Sequence, residues 1–352
     1  MTGYASVDWS SAQVETARLV LRPLRPQDAD LLLGDREEPG SWCRDPAGDR
    51  GTGLRTAVTE RATGRLIGAA DLYAEPGPVP GTARIDLWIA AWARGRGHGT
   101  EVVTGLCAWA FRQGVVRVEL LAGALDERAH RVALAAGFRR EGLLRSALVG
   151  RDRVDAVLYG RLATDPPTPP RRGLPDVSEL TDGVATIRPL RAGDEAALLD
   201  ERLDPESQRW ATSTRLWTAQ DIRVFVAGTG PAWLAGTEAR FAIVDAASNT
   251  CAGSLGLRMS VPAFRIAEIG YGLRASWRGF GLTTRAVRLV TDWAFFRAGI
   301  ARLELGAAVE NAASRRVAER AGFQPEGIAR MRLPTSTGGR TDEARYGLLP
   351  PG

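Results

Sequence analysis

The chain has 352 residues and no lysine; all 46 of its basic residues are arginine. It therefore offers no lysine side chain for acylation. A Walker-type phosphate loop, which requires a lysine, is excluded. An arginine-only composition is also what a GC-rich bacterial genome produces. Histidine is nearly as scarce, with only His98 and His130. A His/Cys metal centre or a Ser-His-Asp triad would have to draw on those two, and no spacing supports either. Cys43, Cys107 and Cys251 are odd in number and far apart, which argues against a disulfide framework or a zinc site. No metal is expected. No apolar run approaches the roughly 18 residues needed to span a membrane. The segment Met1 to Val14 lacks the basic and apolar regions of a signal peptide. The expected location is cytoplasmic, with no membrane partner.

What is present is ordinary for a globular protein: 44% hydrophobic and 25% charged residues. The length suggests two domains, each long enough to bury a core. The formal charge of +5 is spread among 41 acids rather than clustered. That pattern fits an anionic ligand such as a cofactor phosphate, and no nucleic-acid partner is expected.

Residues Thr164 to Leu180 are proline-rich and polar and read as a semi-extended linker. It separates an N-terminal domain, 15–163, from a C-terminal one, 181–352. The two repeat each other block by block. Arg22-Pro23-Leu24-Arg25 with Asp28 and Leu32-Leu33 matches Arg188-Pro189-Leu190-Arg191 with Asp194 and Leu198-Leu199. Arg117 with Glu119 matches Arg302 with Glu304, and Gly137-Phe138 with Glu141 matches Gly322-Phe323 with Glu326. Arg153, Asp155, Tyr159 and Gly160 match Arg340, Asp342, Tyr346 and Gly347. Such blocks in one order indicate duplication.

In the second copy, strands are predicted over Ala185–Pro189, Arg240–Asp245, Ala252–Met259, Ala267–Leu273, Ala301–Val309 and Ala344–Leu349. Helices are predicted from Asp194, a capping residue, over Leu282–Ala298, and over Ala312–Ala321 before Gly322. A helix crossing between strands implies an α/β fold with a mixed, locally parallel sheet. Each copy carries a glycine turn between a strand and a helix. The first reads Arg94-Gly95-Arg96-Gly97-His98-Gly99 and the second Arg278-Gly279-Phe280-Gly281-Leu282-Thr283, then Thr284. Glycines admit positive φ and close ligand approach. The helix start then offers amides to an anion such as a pyrophosphate. The dinucleotide fingerprint does not fit, since neither turn reads G-x-G-x-x-G. His98 and His130 read as exposed loop or helix residues able to titrate near neutrality.

The order strand, R-G-x-G, helix, strand, N-x-x-S, helix, G-F resembles the GNAT N-acetyltransferase superfamily. The second copy resembles the branch acting on N-terminal amines of ribosomal proteins, through Glu268-Ile269-Gly270-Tyr271, Arg278 to Thr283, Asn311-Ala312-Ala313-Ser314 and Gly322-Phe323. The resemblance implies two tandem acyl-CoA N-acyltransferase domains. It also implies that acetyl-CoA and an amine acceptor meet where two strands splay, near Tyr271, Gly272 and Leu273. Backbone groups there would bond the pantetheine arm, and one N–H would stabilise the oxyanion. Glu268 is then the candidate base, perhaps through water, and Ser314 the hydroxyl near the sulfur. Asn311 would orient the cofactor or cap the helix. Tyr271 and Tyr346 are secondary acids. Trp210, Trp217, Phe225 and Trp233 are either acceptor wall or core.

The copies differ where chemistry is expected: Asn311 corresponds to Asp126, Ser314 to Ala129 and Glu268 to Arg84. Asp126 would set a negative charge near the cofactor arm, and the first copy's acceptor lid is short. Yet the first copy has the fuller glycine turn, with Gly99 where the second has Thr283. The C-terminal copy is expected to transfer acetyl groups, and the N-terminal copy to bind CoA weakly or act as scaffold. The alternatives are a non-catalytic acyl-CoA sensor, or a transferase for another acyl group. A monomer or homodimer is expected.

Overall fold

A computed structural model describes residues 12–28, 53–74, 81–149, 152–166, 174–213 and 215–351. Cys43, Leu32-Leu33, the first copy's lid, most of the N-terminal stretch and the middle of the linker lie outside these residues. The chain separates into two compact units between Arg171 and Arg172.

The first unit is an eight-stranded sheet. Its strands are β1 (Val14–Glu15), β2 (Leu19–Pro23), β3 (Gly53–Glu60), β4 (Leu66–Ala74), β5 (Thr82–Ile89), β6 (Arg117–Gly123), β7 (Arg139–Val149) and β8 (Asp152–Leu162). Their spatial order is β1-β2-β3-β4-β5-β6-β8-β7. Helix α1 (His98–Arg112) crosses from β5 to β6, and α2 (Glu127–Ala135) follows β6.

The second unit repeats this order with β9 (Leu180–Thr181), β10 (Ala185–Pro189), β11 (Glu238–Asp245), β12 (Thr250–Val261), β13 (Ile266–Leu273), β14 (Arg302–Ala308), β15 (Gln324–Pro334) and β16 (Arg340–Leu348). Between β10 and β11 lie α3 (Glu195–Leu203), α4 (Pro205–Arg209), α5 (Ala219–Ala227) and α6 (Thr229–Leu234). Helices α7 (Leu282–Phe296) and α8 (Ala312–Arg320) flank β14. Among the described residues, only β5–β6 and β13–β14 run parallel.

Alternation along the strands sorts two faces. Ala267, Ile269, Leu303, Leu305, Ala344 and Tyr346 join Ala286, Val290 and Trp293 of α7 in one core. On the opposite face, Ala242 and Val244 meet Leu198 of α3 and Ile222 and Val226 of α5. Sequence reasoning misses β15 because most of it is exposed on both sides and shows no alternation.

The linker is shorter than Thr164 to Leu180. Ala163 bonds back to Val116, and Leu162 to Asp165. Leu174 is fully buried in the second core, and Trp233 Nε1 donates to the Pro175 carbonyl at 3.1 Å. Apolar contacts thus claim what proline content alone marks as tether.

The repeated sequence blocks are framework devices. Arg22 makes a two-pronged ion pair with Asp28 (2.7 and 2.8 Å), and Arg188 makes the same pair with Asp194 (2.8 and 2.7 Å). Each Asp also accepts from a backbone N–H, of Arg25 or Arg191. Asp194 stands at the N-cap of α3, but its carboxylate serves this clasp and makes no side-chain cap. Glu141 and Glu326 lie over Gly160 and Gly347 so closely that a Cβ would overlap them. Asp155 and Asp342 accept from Ser146 and Met331, which hold left-handed φ of 52° in the bulges of β7 and β15.

The first clasp sets an acid limit on stability. The Arg22 guanidinium holds the Asp28 carboxyl below the usual carboxylate range. A depressed folded-state value stabilises above the ordinary value of about 3.9, and the effect is lost as pH falls through the folded value. Asp28→Asn is expected to destabilise the first unit by about 2 kcal/mol at neutral pH, read by calorimetry. The wild-type advantage should vanish in acid.

Candidate active site

In the second unit the parallel pairing of β13 with β14 stops early. Ile266, Ala267 and Glu268 pair with Arg302, Leu303 and Glu304, and the strands then part. The edge of Ile269–Leu273 facing β14 makes no further ladder bonds, although its other edge stays paired with β12. The first unit parts at the same register, after Thr82, Ala83 and Arg84. Helix crossover forces the divergence in both, and unpaired amides and carbonyls inside a sheet await a ligand or water.

Each splay leads through one 3₁₀ turn into the glycine turn. Gly279 and Gly281 have φ of 85° and 76°, and a Cβ built on either meets nothing within 4 Å. Gly281 caps α7 without a side chain, so the amides of Leu282, Thr283 and Thr284 have no intrahelical acceptor. Phe280 is 70% exposed beside them. The first turn bends alike, with Gly95 and Gly97 at 76° and 80°, but its surroundings differ. Arg18 lies against Gly97, donates to the Arg96 carbonyl at 3.0 Å and pairs with Glu101 at 2.7 Å. Glu101 stands in the first turn of α1, where α7 has Arg285. Gly99 answers packing: a Cβ there would press on Val132 and Leu87. The fuller glycine run of the first copy is thus the more obstructed one.

Neither turn arginine is idle. Arg278 bonds Asp204 and Ser207 at the start of α4 and the Leu273 carbonyl at the end of β13. Arg94 bonds the matching Ile89 carbonyl at 2.8 Å. These arginines pin the strand end.

On the helical side of the gap, the Tyr271 hydroxyl lies 3.0 Å from Ser314 Oγ and donates to the Ser314 carbonyl at 3.1 Å. Burial pushes the Tyr271 phenol up to about 12. Asn311 Oδ1 accepts from the Ser314 N–H at 3.0 Å, so its carbonyl oxygen caps α8. Tyr346 is buried and bonds Arg315 and Glu319, each at 3.1 Å. In the first unit Leu87 and Ala129 replace the Tyr271–Ser314 pair. His130 replaces Arg315 and sits 2.8 Å from the Tyr159 hydroxyl. Both histidines are buried rather than exposed, and burial lowers the His130 pKa. His98 is drawn inward because it takes the core position of Leu282. Asp126 is spent capping α2 through the N–H groups of Arg128 and Ala129.

On the other face of the sheet, the second unit has a floor of glycines. Gly256 pairs with Gly270 and Ser254 with Gly272 across β12 and β13, and Gly306 lies on β14. Glutamates ring this floor. Glu268 is half-buried at the last paired position and ion-paired with Arg258. Glu343 lies over Gly306, near Arg332 and Arg345. Glu201 of α3 lies over Gly272 and is 1% exposed. Sequence reasoning missed Glu201; an acid inside an otherwise helical apolar stripe was its one signal. The aromatic residues divide. Trp233 stacks with Phe241 and Trp293 in the core. Trp217 and Phe225 hold Arg202 over their rings beside Glu201. Trp210 bonds Glu206 near the surface.

In the first unit the same floor is filled. Asp71, Asp86, Trp88 and Leu121 stand where Gly256, Gly270, Gly272 and Gly306 are, as register shows. Tyr73 bonds Asp86 at 3.3 Å across it, and Arg84 pairs with Glu119 at 3.1 Å. Among the described residues, no group of three His, Cys, Asp or Glu could hold a metal ion, and no helix is long and apolar enough to cross a membrane.

Comparison with known proteins matches the acetyltransferase (GNAT) domain twice, at residues 18–139 and 185–324. "Probable N-acetyltransferase YjcK" of Bacillus subtilis is 42% identical over 97 residues, 27% of this chain and 54% of that protein. A second B. subtilis relative, 41% identical over 85 residues, is covered to 46%. The chain thus spans about half the length of the curated relatives it matches. Among solved structures, RimJ of Mycobacterium smegmatis in complex with CoA-disulfide is 26% identical, with 51% of this chain and 90% of that one covered and a TM-score of 0.46. RimL, a ribosomal L7/L12 alpha-N-protein acetyltransferase in complex with coenzyme A, is 22% identical, with 49% and 98% covered and a TM-score of 0.45.

Proposed function

The chain belongs to the GNAT acetyltransferase family, and on that premise we propose that its second unit is an acetyl-CoA-dependent N-acetyltransferase acting on a primary amine. The first unit is then a degenerate copy that serves as scaffold. One observation carries this reading: in the second unit alone, an open glycine turn, a splayed strand edge and an unfilled glycine floor coincide. The relative named as an N-acetyltransferase supports the reaction class.

The residues fit the cofactor. The space beside Gly279 and Gly281 is open, and amides from Gly279 to Thr284 would take the pyrophosphate. The unpaired edge at Tyr271, Gly272 and Leu273 would take the pantetheine arm. When bound, acetyl-CoA supplies an acyl group already activated as a thioester. Holding it beside the glycine floor brings acyl carbon and amine together, and proximity provides much of the rate. Glu268, Glu304 and Glu343 stand at one end of the floor, each beside an arginine, and offer carboxylate oxygens to an ammonium group. Ser314, backed by Tyr271, holds a proton for the departing sulfur.

The test uses the full chain with one lesion per unit. Valine at position 281 would be strained at φ 76° and would put a side chain where the anion is held. Losing two charge-assisted bonds at about 1.5 kcal/mol each amounts to on the order of 100-fold in the KM for acetyl-CoA. Gly281→Val should show that loss in thiol-release assays with an amine panel, and Gly97→Val should leave turnover as in the wild type. The reverse pattern would place the activity in the first unit.

A further inference from the structure

The Glu201 carboxylate is the least solvated charged group on the acceptor side of the gap. It is 1% exposed. Its Oε1 accepts from Ser254 Oγ at 3.1 Å, and its Oε2 has no hydrogen-bond partner. It lies so close over Gly272 that a Cβ there would be 2.0 Å from Oε1. Gly272 belongs to the unpaired stretch of β13, where the reaction is placed. Glu268 stands four residues earlier, in the paired part of the strand, already matched by Arg258. Arg202 and Ser254 engage Oε1 only, so Oε2 stays unmatched over Gly272, and a buried carboxylate is weak as a device for stability alone.

We propose that Glu201 receives the acceptor amine and takes its proton, which makes it a further catalytic residue of the second unit. This inference rests on the N-acetyltransferase reading. An ammonium group that becomes an amide loses two protons. The new carbon–nitrogen bond forms as the carbon–sulfur bond breaks, and the sulfur takes one proton from Ser314, which solvent replaces. Both nitrogen protons leave in turn through Glu201 to solvent, for a net release of one. The glycine at 272 lets this carboxylate reach the gap, and no other residue would leave it room.

The groups facing Glu201 are few. Arg202, on its own helix, comes within 3.7 Å and is held by Trp217 and Phe225. Ser254 and Cys251 face it from β12 and Arg278 from the turn that follows β13; Arg278 is itself paired with Asp204, and Arg274 with Asp200. Helix α5 brings Ile222, Val226 and Phe225 to the neighbouring apolar cluster. Burial raises the Glu201 pKa against the pull of Arg202, the direction that makes a carboxylate a stronger base.

The experiment compares the full chain with Glu201→Gln, Glu201→Asp and Glu268→Gln, using acetyl-CoA and a panel of peptide N-termini, alkyl monoamines and alkyl diamines. Acetyl-CoA binding is followed separately by calorimetry, and folding by circular dichroism. The wild-type kcat/KM for amine should rise with pH along a limb above the ordinary glutamate value of about 4.3. Glu201→Gln should cut transfer by on the order of 100-fold and erase that limb, with acetyl-CoA binding kept. Glu201→Asp should restore the limb with part of the rate, and Glu268→Gln should keep it. A limb that survives Glu201→Gln, or that Glu268→Gln removes, overturns the proposal. Wild-type failure to acetylate any amine on the panel, with acetyl-CoA bound, overturns the N-acetyltransferase reading and this inference with it.

Discussion

Gly270→Leu should abolish amine acetylation while leaving the fold and acetyl-CoA binding intact. Gly270 lies in β13 with ordinary strand backbone, and a Cβ built on it meets no atom within 4 Å. Replacing a strand glycine there removes unfolded-state freedom and should raise stability by about 0.5–1 kcal/mol. The new side chain would stand on the glycine floor, between Glu268 and the stretch beneath Glu201. Displacing an amine by even 1 Å from its line of attack costs on the order of 100-fold. The first unit is the natural version of this substitution, since Asp86 occupies the equivalent position. Calorimetry with CoA, a thermal melt and thiol release with an amine panel separate the three quantities. Wild-type turnover in Gly270→Leu would show that the acceptor enters elsewhere.

Ser314→Ala should lower kcat by on the order of 100-fold, the usual size of a lost proton donor, with little change in the KM for acetyl-CoA. Tyr271 would keep its bond to the carbonyl of residue 314, so the start of α8 should hold. Tyr271→Phe should cost less, because Ser314 can still reach solvent protons. The phenol's elevation to about 12 keeps it protonated across the neutral range. The Tyr271 contribution should therefore persist into alkaline solution and fade only as pH nears that value. Single-turnover rates between pH 6 and 10 check this. Unchanged kcat in both variants would leave the pair a strap between β13 and α8.

The sequence discloses the framework more readily than the site. Its repeated blocks hold the residues of the Arg22–Asp28 and Arg188–Asp194 clasps, the Glu-over-Gly contacts and the Asp-held bulges, because each device needs fixed residue types at fixed spacing; the contacts themselves appear only in the structure. The splay is legible only through family resemblance, since no residue encodes a missing bond. Asn311 and Ser314 are found from the N-x-x-S spacing and Tyr271 from the family resemblance, and hydrogen bonds join the three. Glu201 is invisible because its meaning comes from Gly272, 71 positions away by number. The glycine floor is equally hidden: Gly256, Gly270 and Gly306 read singly as strand weaknesses. Counting glycines in the turns misled for a related reason. Arg18 reaches its turn from another strand connection, and linear spacing says nothing of it.

The Arg278 bridge ties the second glycine turn to α4, and α4 adjoins the helix that carries Glu201. An incoming phosphate that draws Arg278 away must separate it from Asp204. On the proposed reading, cofactor affinity then contains the strength of a contact made by the start of α4. Thermodynamic linkage makes the debt mutual: whatever factor one substrate imposes on the other's dissociation constant is returned unchanged. The two substrates of this fold would then meet as coupled effectors, with a single guanidinium setting the size of their cooperativity.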